Sequence, residues 1–253
     1  MESSDYIYGL RAIIEAIREG RAIDKLFIKK DLQGELASEL MGLVRANHIV
    51  AQRVPLERLN RITRRNHQGA IAMLSAVTYH NLGNLVAGLF EEGILPLVVL
   101  LDGITDVRNF GAIARTAECC GVNALIIAER GSVSVGGDAI KTSAGALHTL
   151  PVCRERSIAG AVKFLKNSGF RVVAVSEKAQ CNYTAADYTV PTALVMGAED
   201  VGISDEVLQL CDTHVAIPMF GHIGSLNVSV AAGVMMYEAV RQRLAADCLA
   251  PNE

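Results

Sequence analysis

Residues 6–19, YIYGLRAIIEAIRE, space Leu10, Ile13, Ile14 and Ile17 along one helical face and predict an amphipathic helix. Residues 25–29, KLFIK, read as a short strand. Residues 35–46 repeat the helical spacing with Leu36, Leu40 and Leu43, and 49–54 read as strand again. Pro55 suits the first position of a short helix, because the N–H it lacks is one that a helix start leaves unbonded. Residues 69–74, GAIAML, predict a third strand. This alternation gives a small α/β domain over residues 1–76, a length that can fold alone.

Residues 77–93 read as a linker and entry helix, stopped by Gly93 and Pro96. Beyond it, residues 97–101 form an unbroken apolar run, the mark of a strand buried on both faces. A helix over 112–120 ends at Gly121. Strands follow at 124–128, 171–175, 193–196 and 214–217, with helices at 158–166 and 205–210 and a long last helix at 226–244. Such alternation predicts a mostly parallel sheet with helices on both faces, in a second domain over 94–253.

Composition narrows the classes. Hydrophobic residues make up 51% of the 253-residue chain and charged ones 20%, enough apolar surface for a core and too little charge for disorder. Aromatics are only 5% and tryptophan is absent, which argues against a carbohydrate cleft or a single-strand binder built from stacked rings. Residues 1–76 hold 12 Lys/Arg against 9 Asp/Glu, and residues 77–253 hold 12 against 18, so the first part is the one suited to a polyanion. The six cysteines form no C-x-x-C pair and stand at no zinc spacing, which predicts buried free thiols, no metal and a cytoplasmic setting. The longest apolar run, 94–101, is too short to span a bilayer.

Three segments can carry chemistry. In the first, Asn109 can cap the helix after strand 97–101, Gly111 permits a close approach, and Arg115 follows towards the sheet's carboxyl rim, where open α/β sheets bind ligands. The same pattern also suits a capped helix with a surface arginine. In the second, LVMGAEDVGIS, a strand runs into Gly197, Glu199 and Gly202, with Ser204 starting a helix. In the third, Gly221 and Gly224 make a loop, Ser225 and Asn227 stand at a helix mouth, and Ser229, Ala231, Ala232 and Gly233 allow tight packing.

In this order, DVRNFGAIARTA, LVMGAEDVGIS and IPMFGHIGSLNVSVAAG resemble the three motifs of the SpoU (TrmH-like) family of RNA 2′-O-methyltransferases. RRNHQGAIAML, residues 64–74, is similar to the end of the substrate-binding domain in the family's RlmB branch. The resemblance implies a trefoil-knotted (SPOUT) parallel-sheet domain behind a small domain like ribosomal protein L30e. It implies a cytoplasmic homodimer packed partly through the last helix, and S-adenosylmethionine as cofactor. The implied substrate is a guanosine ribose of 23S rRNA, as naked RNA or in a ribosome precursor. Gly197, Ile217 and Leu226 match cofactor contacts, with Met219 beside them. Asn109, Arg115, Glu199, Ser225 and Asn227 match the polar catalytic set. Arg115 is either the base or, since a guanidinium holds its proton above about pH 12, a stabiliser of the developing alkoxide. Ser225 and Asn227 would orient Arg115 or the ribose, a role compatible with helix capping. Arg61, Arg64 and Arg65 are the expected phosphate contacts; His67 either touches RNA or closes a turn, and His222 is a loop histidine that could carry a proton.

Other readings are weaker. A dinucleotide-dependent oxidoreductase needs G-x-G-x-x-G after the first strand, and the turn from Asp102 to Gly111 lacks it. A non-catalytic RNA-binding adaptor would not need the whole polar set. The same chemistry on tRNA stays open.

Overall fold

The computed structural model describes residues 6–47 and 49–248. The chain forms two compact units. One runs to Thr78 and includes Ser134–Asp138; the other takes Tyr79–Val133 and the chain from Ala139.

The first unit runs β1 (Tyr6–Tyr8), α1 (Leu10–Arg18), β2 (Ile23–Lys29), α2 (Glu35–Ala46), β3 (Ala51–Val54), α3 (Leu56–Ile62) and β4 (Ala70–Leu74). Its sheet has the order β1-β4-β2-β3, antiparallel except for β2 with β3. Leu10, Ile13, Ile14 and Ile17 pack with Leu40 of α2 onto Leu26, Ile28 and Ala72 of one face. Leu59 of α3 packs on Phe27, Val54 and Ile71 of the other.

The expected helix over 6–19 is corrected at its start. Tyr6–Tyr8 is a strand whose backbone pairs with Ile71–Met73, and Gly9, at φ 90°, turns the chain into α1. Gly9 has no side chain to cap the helix. Gln68, itself in the left-handed region at φ 52°, does so instead, accepting from the Leu10 N–H at 3.2 Å. Pro55 sits one place earlier than expected, as the extended N-cap of α3. Ser134 reaches this unit by donating to the buried carboxylate of Asp24.

The second unit contains β5 (Tyr79–His80), α4 (Leu82–Glu91), β6 (Leu97–Asp102), α5 (Val107–Cys119), β7 (Ala124–Ala128), α6 (Gly137–Thr142, of which the first two residues are counted with the first unit), β8 (Val152–Glu155), α7 (Ile158–Asn167), β9 (Arg171–Val175), β10 (Cys181–Asn182), β11 (Thr192–Gly197), α8 (Asp205–Leu208), β12 (Thr213–Ala216) and α9 (Val228–Asp247). Its eight strands are all parallel, in the order β10-β12-β9-β11-β6-β7-β8-β5. The direction of winding changes at β6, where β7 lies on one side and β11 on the other. Helices α4, α7 and α8 cover one face through Val86, Val162 and Val207. α5 packs with α9, which rests against β11.

Several boundaries move. α5 starts at Val107, five residues before the expected 112, and α9 at Val228 rather than 226. β8 and α6 were not expected; VCRE and GDAIKT are too short for a period to show. Gly111 does permit a close approach: a Cβ there would meet the side chain of Thr142 and, at 2.9 Å, its carbonyl carbon. Gly233 is different, since an added methyl would find Thr116 at an ordinary 3.6 Å. All six cysteines are free, but only Cys153 is buried; Cys119 and Cys248 are exposed.

The end of α9 is held by polar contacts. Arg243 donates to four backbone carbonyls, those of Leu95 (2.8 Å), Pro96 (2.9 Å), Tyr188 (3.0 Å) and Val190 (3.2 Å). Burial lowers its pKa, and the planar fork suits several acceptors at once. Gln242 adds bonds to Ala186 and Tyr188. Arg243→Met keeps the apolar stem but leaves the carbonyls unpaired. It is expected to cost about 2–4 kcal/mol in urea unfolding, with Arg243→Lys recovering less than half. The thiols give a second check. Burial pushes Cys153 and Cys211 up to about 12, so neither is a thiolate near neutral pH. A maleimide applied to the native protein should label Cys119 and Cys248, and reach Cys153 only after unfolding, as read by peptide mass spectrometry.

Candidate active site

Parallel strands buried on both faces leave polar side chains only at their ends. The register sets Gly197, the last residue of β11, opposite Asp102, the last of β6. The loops that leave β6, β11 and β12 supply the three polar segments.

In the first loop Asp106, not Asn109, caps α5, accepting from the Arg108 N–H at 2.6 Å. The correction matters because it frees the Asn109 side chain, in the helix's first turn, to reach across. Its Nδ2 donates to Glu199 Oε1 at 3.0 Å. From the third loop, Asn227 Nδ2 donates to the same Glu199 oxygen at 2.5 Å and to Asn109 Oδ1 at 3.0 Å. Asn227 also caps α9: its Oδ1 accepts from the N–H (2.9 Å) and the Oγ (2.5 Å) of Ser229. The cap fixes the orientation of the amide, because the oxygen must face Ser229 and the nitrogen then faces Glu199. One side chain therefore joins the helix start to the other two loops.

The second loop is a tight return. Ala198 and Gly202 exchange backbone bonds of 3.2 and 2.8 Å, with Gly202 at φ 71°. At Gly197 a Cβ would run into the backbone of Gly202 and Ile203. Ser204 leads into α8, but its N–H and Oγ donate to Asp102 Oδ2, at 2.8 and 2.7 Å, instead of capping the helix through its side chain.

Beside this network lies a cleft, open to solvent, with a cavity volume of about 90 Å³. Gly197, Ile217, Met219 and Leu226, expected at the cofactor, all line it, as does Ser225. Apolar wall also comes from Met196 and Ile203. The polar lining includes the carboxylates of Glu177 and Glu199, with no Lys, Arg or His, so the cleft suits a ligand with an apolar ring and a positive charge. Glu177 was missed in the sequence; it follows the end of strand 171–175, where the rim rule points. A second hollow, of about 230 Å³, lies beside Thr105, Asp106 and Asp200 and shares Ala198, Glu199 and Val228 with the cleft. Asn109 also lines this hollow.

Arg115 stands apart. It is exposed on α5, about 9 Å along the helix from Asn109, and lines neither the cleft nor the hollow. It has no hydrogen bond or ion pair among the described residues. In the first unit Arg61, Arg64 and Arg65 are all exposed. His67 is buried and closes the turn before β4: Nδ1 accepts from the Gly69 N–H at 3.1 Å, so Nε2 carries the hydrogen towards Asn60 Oδ1 at 3.0 Å. His222 is exposed in its loop.

Comparison with known proteins finds the same architecture. The SpoU rRNA Methylase family matches residues 96–237, and the family described as RNA 2′-O ribose methyltransferase substrate binding matches residues 6–80. A putative TrmH family tRNA/rRNA methyltransferase of Staphylococcus saprophyticus is 35% identical over 237 residues, covering 94% of this chain and 95% of the relative. The crystal structure of the SpoU methyltransferase AviRb from Streptomyces viridochromogenes, in complex with the cofactor AdoMet, aligns with a TM-score of 0.60 at 26% identity, over 95% of this chain and 90% of that one. The AdoMet-bound rRNA methyltransferase from Sinorhizobium meliloti aligns with a TM-score of 0.57 at 25% identity, over 93% and 86%.

Two glycines separate a required close approach from a permissive loop. Gly197→Ala forces backbone apart and is expected to cost about 1–3 kcal/mol in urea unfolding. Gly221→Ala, with nothing within 4 Å, should stay within about 0.5 kcal/mol of the parent. Equal midpoints for the two would show that the Gly197 loop yields without cost.

Proposed function

The chain belongs to the SpoU rRNA Methylase family, and we propose that it methylates the 2′-oxygen of a guanosine ribose in 23S rRNA, with S-adenosylmethionine as donor. The observation that carries this reading is the cleft walled by the chain that leaves β9, β11 and β12, set beside the network through which Asn109, Glu199 and Asn227 tie the β6, β11 and β12 loops together.

The cleft fits the cofactor's chemistry. A sulfonium is positive and an adenine ring is flat and largely apolar; the lining offers Glu177, Glu199 and apolar walls, and no cation. Gly197, Ile217, Met219 and Leu226 would hold the cofactor, which supplies a methyl group activated by the positive sulfur. The neighbouring hollow, on the other side of Glu199, would take the target nucleotide, with Asn109 and Asn227 keeping the Glu199 carboxylate fixed between the two. Ser225 would orient the ribose. Fixing the two partners in register can contribute several kcal/mol to the rate, on the order of 7 or more in favourable cases.

Arg115 acts on the nucleotide electrostatically in this reading, holding a flanking phosphate and stabilising the 2′-oxygen as its proton passes to solvent water and it takes the methyl from the sulfur, since a guanidinium holds its own proton firmly. The lack of a partner for it among the described residues supports a target outside its own chain. A homodimer would bring Arg115 to a cleft, and α9 offers the surface. It buries Ala232, Met235, Met236 and Ala239 on one side, while Val230, Tyr237 and Leu244 stay exposed at seven-residue spacing. A trefoil knot at the chain end and a cytoplasmic setting complete the proposal. Arg61, Arg64 and Arg65 would bind phosphates of the RNA. Ribosomal rather than transfer RNA is favoured by the likeness to the rRNA methyltransferase of S. meliloti, whose structure covers 93% of this chain.

The test is methyl transfer from labelled S-adenosylmethionine to rRNA from cells lacking the enzyme, followed by digestion to nucleosides. Label is expected in 2′-O-methylguanosine, falling at least about 100-fold in Arg115→Ala with cofactor affinity retained. Arg115→Lys should lose activity equally at all pH values; a rate that climbs steeply with pH would instead make Arg115 the base. Label confined to tRNA would move the substrate, and absence of both label and cofactor binding would end the reading.

A further inference from the structure

We infer that the α3 side of the first unit's sheet is a landing surface for an unpaired stretch of the RNA substrate, an inference that rests on the function proposed above. The two faces of this sheet differ. The α1/α2 face is aliphatic, whereas all three aromatic residues between positions 6 and 78, Tyr6, Tyr8 and Phe27, gather on the other. Pairing sets them in rows across the strands. Tyr6, Met73 and Lys25 form one row, and Tyr8, Ile71 and Phe27 the next. α3 shields Phe27, Val54 and Ile71, but Tyr6 and Tyr8, on the edge strand β1, stay half-exposed with ring centroids 6.3 Å apart. Low aromatic content over the whole chain hides this local concentration.

Cations frame the rings. Lys25, Arg58 and Arg61 line a hollow between α3 and the sheet in which Glu57 is the one carboxylate. Arg58 lies 5.3 Å over the Phe27 ring, and Arg65 Nη1 reaches the Tyr8 hydroxyl at 3.4 Å. Lys25, Arg58, Arg61 and Arg65 have no ion pair among the described residues. Half-exposed rings flanked by cations leave both a flat apolar surface and positive charge open on this face. A polyanion with flat faces answers both features: its phosphates meet the cations and its bases lie on the rings. Base faces are available only outside a duplex, which selects an unpaired segment.

The test is fluorescence anisotropy of the full-length protein with a short unstructured oligoribonucleotide and with a duplex of the same length. Lys25→Ala/Arg58→Ala/Arg61→Ala is expected to weaken single-strand binding at least about tenfold and to flatten the log–log salt dependence by about 2. Tyr8→Leu, which keeps apolar contact, should weaken single-strand binding about fivefold or more and leave duplex binding unchanged, while Tyr8→Phe binds normally. If circular dichroism shows that the triple variant is unfolded, Lys25→Gln and Arg61→Gln singly carry the same test with smaller losses. Variants that bind single strands as the parent does overturn the surface; an equal loss for duplex and single strand in Tyr8→Leu overturns the unpaired segment. Cofactor affinity, measured on the same samples, keeps the two ideas apart. A parent that binds no cofactor and transfers no methyl defeats the methyltransferase reading, whatever the anisotropy shows.

Discussion

The centre of the second unit's sheet admits no water. Val98, Val99, Leu100, Val172, Val173, Ala174, Ala193, Leu194 and Val195 are all 0% exposed. Their backbone groups are satisfied by parallel ladders, and no polar side chain could sit among them without a large cost. Every group able to do chemistry is therefore displaced to the strand ends. At the β6/β11 switch point two neighbouring loops diverge, and the space between them is the hollow beside Thr105 and Asp200; the cleft opens next to it, among the ends of β9, β11 and β12. Dryness in the sheet and reactivity at its rim are two sides of one constraint.

Order at that rim comes from short contacts. Gly197 lets the β11 loop fold back on itself at a separation no side chain would allow. Asn227 then uses both ends of one amide, the oxygen on the start of α9 and the nitrogen on Glu199. A helix cap contributes about 1 kcal/mol on its own; here the same residue also sets where the carboxylate points. The three network residues are solvent-accessible, so their positions depend on mutual bonding more than on burial.

The first unit follows a different rule. Its sheet has one face fully covered by two helices and the other covered in part by the seven-residue α3. The incomplete cover leaves rings, and cations with no ion pair among the described residues, where a core would otherwise continue. Charge is distributed to match, basic over residues 1–76 and acidic over 77–253. The acidic cleft suits a small cation, while the basic unit suits a polyanion.

Much of this was legible in the chain. Leu10, Ile13, Ile14 and Ile17 marked α1 because a 3.6-residue period survives in nine residues, and the strands at 97–101 and 193–196 showed as unbroken apolar runs because burial on both faces removes alternation. Glycines and polar residues at strand ends marked the three loops, and resemblance supplied their grouping. Only the tertiary structure decided the rest. Tyr6–Tyr8 became a strand because β4 offered its backbone a partner, which no local pattern records. Asp106 took the cap and released Asn109 because Glu199, 90 residues away, was there to receive its amide. The Gln68 cap, the bond from Ser134 to Asp24 and the gathering of three rings on one sheet face have the same origin. Local periodicity reports which face of an element avoids water; which polar group meets which is settled by partners brought close only when the chain has folded.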